Sequence, residues 1–148
     1  MIKRTPLKRS KKRIRKVTKR PMGVLKRKLD SAFAKMIRER DRDLLCISCQ
    51  KNKGTQCGHF IRREVLATRW HPLNCASQCS YCNCWLHGNL LEYQDGLERK
   101  HGAGTVQTLR RLANVSWKPT REALEALLAT AQIDAEAYQE TWNFYGAK

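Results

Sequence analysis

The stretch LNCASQCSYCNCWLHGN, Leu73–Asn89, crowds four cysteines, three asparagines and one histidine into 17 residues. Two of its cysteines, Cys79 and Cys82, stand in a C-x-x-C spacing. A second such pair, Cys46 and Cys49, opens the upstream stretch CISCQKNKGTQCGHF, Cys46–Phe60. Two paired-thiolate knuckles, 29 residues apart between Cys49 and Cys79, match the donor set of a closed, tetrahedral structural zinc site. The alternative is a set of buried free thiols, which seldom come as two such pairs. Zinc at Cys46, Cys49, Cys79 and Cys82 would pin the intervening loop at its base and add folding energy to a small domain.

Three cysteines lie outside the knuckles. Cys84 follows Cys82 by two residues, so on a helix it would point away from it. Cys57 and Cys75 would lie near each other across a ribbon. They read as core thiols, with a second metal or a redox role as the other reading. Seven cysteines, an odd number, disfavour a fully paired disulfide framework.

Working outward, the segment around the knuckles is organised by its periodicity. Leu25, Leu29, Phe33, Met36 and Ile37 recur at helical spacing, with Lys and Arg on the other face. The pattern predicts a helix from about Val24 to Arg42. Between Cys46 and Leu73 helical pattern is short, and a two-stranded ribbon with a wide loop fits. TQCGHFIRRE would be a strand with Gly58 as a local break, and ATRWHPLN an irregular return. From Ser80 to Gly102 the chain reads as one interrupted helix or two, with the Gly88–Asn89 pair as the blemish. TVQTLRRLAN is a short helix, TREALEALLATA opens on Thr120 as an N-cap, and DAEAYQETWNFYG is a final amphipathic helix from near Asp134. Trp70 and Trp85 read as core, with a wedge into distorted DNA as the alternative for one of them. The fold class is α+β, with one small metal-stapled core in 23–101, a disordered basic tail in 1–22 and a C-terminal helical extension in 102–148.

Charge points to the partner. The 148 residues carry a net charge of +17, yet 14 Lys and Arg and no acid fall between Met1 and Leu29. Such a run argues for a polyanion. Lys8, Arg9, Lys11, Lys12, Arg13, Arg15, Lys16, Lys19 and Arg20 are the candidate DNA-binding residues. An anionic membrane surface fits less well, because the tail lacks an apolar face. A solvated tail that binds nothing specific is the bland reading. No window approaches a membrane span and no secretory core opens the chain, so a cytoplasmic location is the expectation.

Four polar residues stand around the knuckles. His59 lies on the first strand, Asn74 precedes Cys79 by five residues, Asn83 follows Cys82, and His87 comes four residues later. If one helix runs through Asn83 and His87, they form an i, i+4 pair that can grip a divalent ion. A histidine on an opposing strand can then deprotonate a water. Each has a plainer reading: His59 as a satisfied core histidine, Asn83 as a helix cap, His87 as a surface residue. His71 and His101 have no pattern around them.

The order His59 … Asn74 … Cys79-x-x-Cys82-Asn83-x-x-x-His87 resembles the HNH, or ββα-metal, nuclease motif in its zinc-stapled form. More narrowly, the basic leader, LKRKLDSAFAKMIRERD, CISC, QCGHF, LNCASQCSYCN and GN are similar to the phage NinG (Rap) family of recombination nucleases, over roughly residues 1 to 101. The resemblance implies a metal-dependent DNA endonuclease acting on branched intermediates of the Holliday junction type. It makes His59 the general base, Asn74 the residue that holds the loop, and Asn83 and His87 the ligands of a catalytic Mg²⁺ or Mn²⁺. Gly58 stands where many such nucleases place an acidic ligand. Glu64 is a helper from the loop in that case, with Glu92 and Asp95 lower on the helix. A two-fold junction makes a homodimer reasonable, with the C-terminal helices as its interface or merely as a cover for the core. A non-catalytic zinc-binding nucleic-acid protein is the main competing reading, and an RNA-binding ribosome-associated protein the third.

Overall fold

The computed structural model describes residues 21–147. The candidate DNA-binding residues Lys8 to Arg20, and nearly all of the expected tail, lie outside them. The elements are α1 (Met22–Arg40), β1 (Gln56–His59), α2 (Leu66–Arg69), β2 (Cys75–Gln78), α3 (Leu90–His101), α4 (Thr105–Ala113), α5 (Arg121–Thr130) and α6 (Ala135–Tyr145). A 3₁₀ turn covers Pro72–Asn74 and a π turn covers Tyr81–Trp85. The fold is a mixed α+β arrangement, mostly helical, around one two-stranded antiparallel sheet.

The helix α1 forms where its apolar period places it. Leu25, Leu29, Phe33, Met36 and Ile37 are its buried residues. They join Trp70, Cys75, Leu124, Leu127, Tyr138 and Trp142 in one core. The helices α5 and α6 therefore cover α1 rather than stand apart from it. Thr120 and Asp134 cap them, accepting from the backbone N–H of Ala123 at 3.1 Å and Ala137 at 2.8 Å. The Tyr138 hydroxyl donates to the Trp70 carbonyl at 2.9 Å, tying α6 to the loop between the strands.

The ribbon differs from the expected one in its second strand. The partner of β1 lies not within Cys46–Leu73 but just after it, in Cys75–Gln78. The pairing sets Gln56 against Gln78, Cys57 against Ser77, Gly58 against Ala76 and His59 against Cys75. Side chains alternate across a strand, so Cys57, His59, Cys75 and Ser77 share one face, toward α1. Gly58 and Ala76 share the other, toward α3. Gly58 does not break the strand. A Cβ there would collide with the Gln78 side chain and press on the Tyr93 ring. The Tyr93 hydroxyl uses that space, donating to the Gly58 carbonyl at 2.9 Å and accepting from the Ala76 N–H at 2.8 Å. These bonds lay α3 across the ribbon.

Two carboxylates of the α1 segment hold the rest. Asp41 is 1% exposed. It accepts from Arg40 at 2.8 and 2.9 Å, from the Ser77 N–H at 3.0 Å and from the Lys100 ammonium. Arg40 goes on to the Pro72 carbonyl at 3.0 Å and the Cys75 carbonyl at 2.8 Å. Asp30 accepts from Arg69 at 2.9 and 2.6 Å and from the Trp70 indole at 2.9 Å. Burial alone would raise the Asp41 carboxyl, but Arg40, Lys100 and Ser77 hold it down to about 2.

Asp41→Asn leaves Arg40 and Lys100 without their counter-charge in a buried place, and should cost roughly 3–5 kcal/mol at neutral pH. The folded value lies below the ordinary 3.8, so the carboxylate's contribution is complete above that value and is lost as pH falls toward 2. Denaturant unfolding at a series of pH values should show the deficit of the variant shrinking over that window.

Candidate metal and ribbon site

Each C-x-x-C pair curls so that its two sulfurs face the same point. Ser48, between Cys46 and Cys49, and Gly88, in the turn after the second knuckle, both meet the buried Gln78 amide, at 2.7 and 2.6 Å. Gly96 lets α3 pass directly over the Ile47 carbonyl, where any Cβ would collide. The result brings Cys46, Cys49, Cys79 and Cys82 together, with all four sulfurs within 4.8 Å of one another. The Cys49–Cys79 separation is 3.9 Å, close to the ~3.8 Å edge of a tetrahedron built on Zn–S bonds of about 2.3 Å. N–H groups point at the sulfurs: the Cys82 N–H and Asn52 Nδ2 to Cys79 at 3.4 and 3.8 Å, and Asn89 Nδ2 to Cys82 at 3.6 Å. This cluster could hold a metal ion.

The thiols differ before any cation joins them. Burial would raise Cys49, but the N–H groups of Asn52 and Lys51 and the neighbouring thiols bring it to about 6. Burial, with Cys79 and Cys49 crowding it against the help of Asn89, pushes Cys82 up to about 12. A divalent cation overrides this spread, because each ligand binds as a thiolate and releases its proton.

On the α1 face of the ribbon, His59 is half-buried. Its Nε2 lies 3.1 Å from the Arg69 carbonyl, an arrangement in which Nε2–H donates and Nδ1 keeps its lone pair. Burial and the Arg63 guanidinium hold the imidazole down to about 4, so it is neutral at physiological pH. Asn74 is fully buried and braces the loop between the strands. Its Oδ1 accepts from the Ile61 N–H at 2.8 Å; its Nδ2 donates to the Ile61 carbonyl at 3.0 Å and the Thr68 carbonyl at 2.9 Å. Thr68 precedes the Arg69 that His59 contacts, so Asn74 positions the acceptor of His59.

The structure does not carry one helix through Asn83 and His87. The π turn ends at Trp85, and His87, Gly88 and Asn89 follow with φ of 49°, 95° and 43°. Three successive left-handed residues end one helical segment and reorient the next. His87 is exposed in that turn, not one helical turn above Asn83. The Asn83 amide donates to Gln56 at 2.7 Å. Among the described residues, no hydrogen bond joins either of them to His59, which belongs to the other face of the ribbon. Glu64 is exposed in the loop, and Glu92 and Asp95 are exposed on α3.

Other expectations divide. Trp70 is fully buried, but Trp85, at the end of the π turn, is 76% exposed and is not core. Cys84 is exposed, 3.4 Å from Gln56 and outside the four-sulfur cluster. His71 is buried and accepts from the Leu73 N–H at 3.1 Å, capping the 3₁₀ turn. Sequence reasoning missed Asp30 and Asp41, which stand in a segment rich in Lys and Arg. No helix among the described residues is long and apolar enough to cross a membrane.

Two outcomes are expected. Asn74→Ala should destabilise the fold by roughly 2–4 kcal/mol, since it strands buried partners, and amide exchange should show the Ile61 N–H losing its protection first. A metal held by the four cysteines is folding energy. A strong chelator should therefore lower the thermal midpoint of the wild type by more than that of a Cys79→Ser variant.

Comparison with known proteins bears on this arrangement. A family model described as "Bacteriophage Lambda NinG protein" matches residues 2–140. The proteins named "Protein ninG" from Salmonella phage P22 and Escherichia phage lambda are each 34% identical over 100 residues, covering 66% of this chain and 49% of theirs. That of Escherichia phage 933W is likewise 34% identical, over 50% of its length. The chain thus spans about half the length of the curated relatives it matches. No solved structure matches it. With 139 of its 148 residues inside the family match, the chain belongs to the NinG family.

Proposed function

We propose that the protein is a DNA endonuclease of the zinc-stapled ββα-metal type, acting on branched recombination intermediates of the Holliday junction class. The observation that carries the reading is His59: a neutral imidazole with a free nitrogen, set on a two-stranded ribbon whose loop Asn74 holds rigid. The helix α3 lies across the ribbon's other face, after a knuckle of the four-cysteine cluster. The donor set and sulfur spacing fit zinc, which would serve as the staple.

In this reading the His59 imidazole takes the proton of a water that attacks a phosphodiester. A phosphate beside it raises its proton affinity from the low value that burial sets. Arg62 and Arg63, exposed in the adjoining loop, would hold the phosphate. A catalytic Mg²⁺ or Mn²⁺ at Asn83 and His87 fits poorly: Mg²⁺ prefers carboxylate and water oxygens, Asn83 is bonded to Gln56, and His87 lies beyond the helical turn. No step is assigned to that ion.

Charge supports a nucleic-acid partner. An open groove of about 1180 Å³ runs between α1 and the α5–α6 junction, lined by Arg27, Lys28, Lys35 and Arg42 together with Glu39, Asp134 and apolar side chains. It is contiguous in sequence with the basic leader and suits a phosphate backbone. A homodimer would match a two-fold junction. The buried faces of α5 and α6 are used on α1, which leaves Ile133 and Phe144 exposed in the C-terminal segment and Tyr81, Trp85, Leu90 and Leu91 exposed elsewhere as apolar surface for a second copy.

The break in the helix between Asn83 and His87 favours a second reading, a non-catalytic zinc-binding nucleic-acid protein. A labelled four-way junction and its matched duplex, incubated with the protein and Mg²⁺ or Mn²⁺, separate the two. Cleavage of the junction that falls by 10²-fold or more in His59→Ala, with metal still bound at the four cysteines, is the expected result. Binding of both DNAs without cleavage under either ion would leave the binding module.

A further inference from the structure

Among the described residues, one side-chain grouping beyond the four-cysteine cluster has metal-ligand chemistry. Cys57, His59 and Cys75 lie on the α1 face of the ribbon, and their ligand atoms all fall within 4.8 Å of one another. The register explains the convergence: His59 stands directly opposite Cys75, and Cys57 is two residues before His59 on the same face.

We propose that Cys57, His59 and Cys75 form a second metal site, for a thiophilic divalent cation of the zinc class, with one coordination position left open. Three observations carry it. First, two thiols and one imidazole are the donor set of three-ligand zinc sites, which keep a fourth position for water. Second, the His59 ring is already oriented by a backbone carbonyl, that of Arg69, at 3.1 Å. Such a contact fixes the tautomer and the aim of metal-ligating histidines. Third, burial is graded. Cys75 is fully buried at the floor, while Cys57 and His59 are only half-buried, which leaves a cation a path from solvent.

Charge is compatible. Two thiols would each release one proton to solvent on binding, and two thiolates neutralise a divalent cation. Without a cation, burial and the neighbouring Cys57 push the Cys75 thiol well above its ordinary range, with Arg40 and Arg63 opposing them only in part. The core reading of these thiols explains Cys75, which packs among Leu25, Phe33 and Trp70. It does not explain why an imidazole and a second thiol come within ligand distance of it at the edge of that core. In the metal-loaded form His59 is a ligand, so its lone pair is no longer a free base. The metal-loaded site and a general-base role for His59 therefore exclude one another, and metal stoichiometry tests the site without reference to cleavage.

The test is metal stoichiometry on the full chain, under a non-thiol reductant and without oxygen, with Co²⁺ as the spectroscopic probe. Wild type should take up two equivalents. Cys57→Ser and, separately, His59→Gln should each take up one, with the tetrathiolate cobalt spectrum of the first cluster intact and circular dichroism unchanged. Cys49→Ser should lose the tetrathiolate spectrum instead. One equivalent in the wild type would overturn the proposal, as would two equivalents in both ribbon variants. A Cys57–Cys75 disulfide, seen as a mass loss of two hydrogens that persists in reductant, would overturn it in favour of a redox pair. His59→Gln keeps the test decisive if Cys57→Ser fails to fold.

Discussion

A single buried carboxylate joins the end of α1 to the ribbon and to α3. Asp41 sits at the end of α1 and accepts from Arg40, from the backbone of β2 at Ser77 and from Lys100 on α3. Arg40, held by it, spends its remaining donors on the Pro72 and Cys75 carbonyls. An ion pair so enclosed gains little over apolar packing, but breaking it is costly, because each partner is left charged and dry. Its contribution is therefore geometric. It decides where α1 ends relative to the ribbon, and hence which face of the ribbon α1 covers.

The two faces of that ribbon divide the molecule's chemistry. Toward α3, Gly58 and Ala76 are small or bare, and the Tyr93 hydroxyl binds the strand backbones through them. Toward α1, the same strands present Cys57, His59 and Cys75. The four-cysteine cluster lies at the end of the ribbon, with Gln78 bridging its first knuckle to the turn after its second. A ribbon of only four residues a strand is too short to stand alone. It is braced by an ion pair on one side, a tyrosine on the other and, in the proposed holoprotein, a cation at its end.

The histidines show how environment, not residue type, assigns a role. His59 and His71 are both held near 4 by burial. His71 has its Nδ1 committed to the Leu73 N–H, so it is a cap. His59 has one nitrogen on a carbonyl and two thiols within reach of the ring. His87, exposed in a left-handed turn, has neither.

Much of this was legible in the residues alone. The spacing of Cys46, Cys49, Cys79 and Cys82 marks a tetrathiolate cluster, because a C-x-x-C turn places two sulfurs on one point whatever surrounds it. The apolar period of α1 and the caps Thr120 and Asp134 depend only on neighbours within a turn, so local sequence determines them too. What the tertiary structure decided is everything set by strand register and by the turn after the second knuckle. A one-residue difference in pairing moves a side chain to the opposite face. The pairing here is braced by Asp41 and Tyr93, residues distant in the chain. Hence the spacing of His59, Asn83 and His87, read as one grip, became a histidine on one face and two residues elsewhere. Hence also Cys57 and Cys75, expected near each other across a ribbon, gained His59 as a third neighbour.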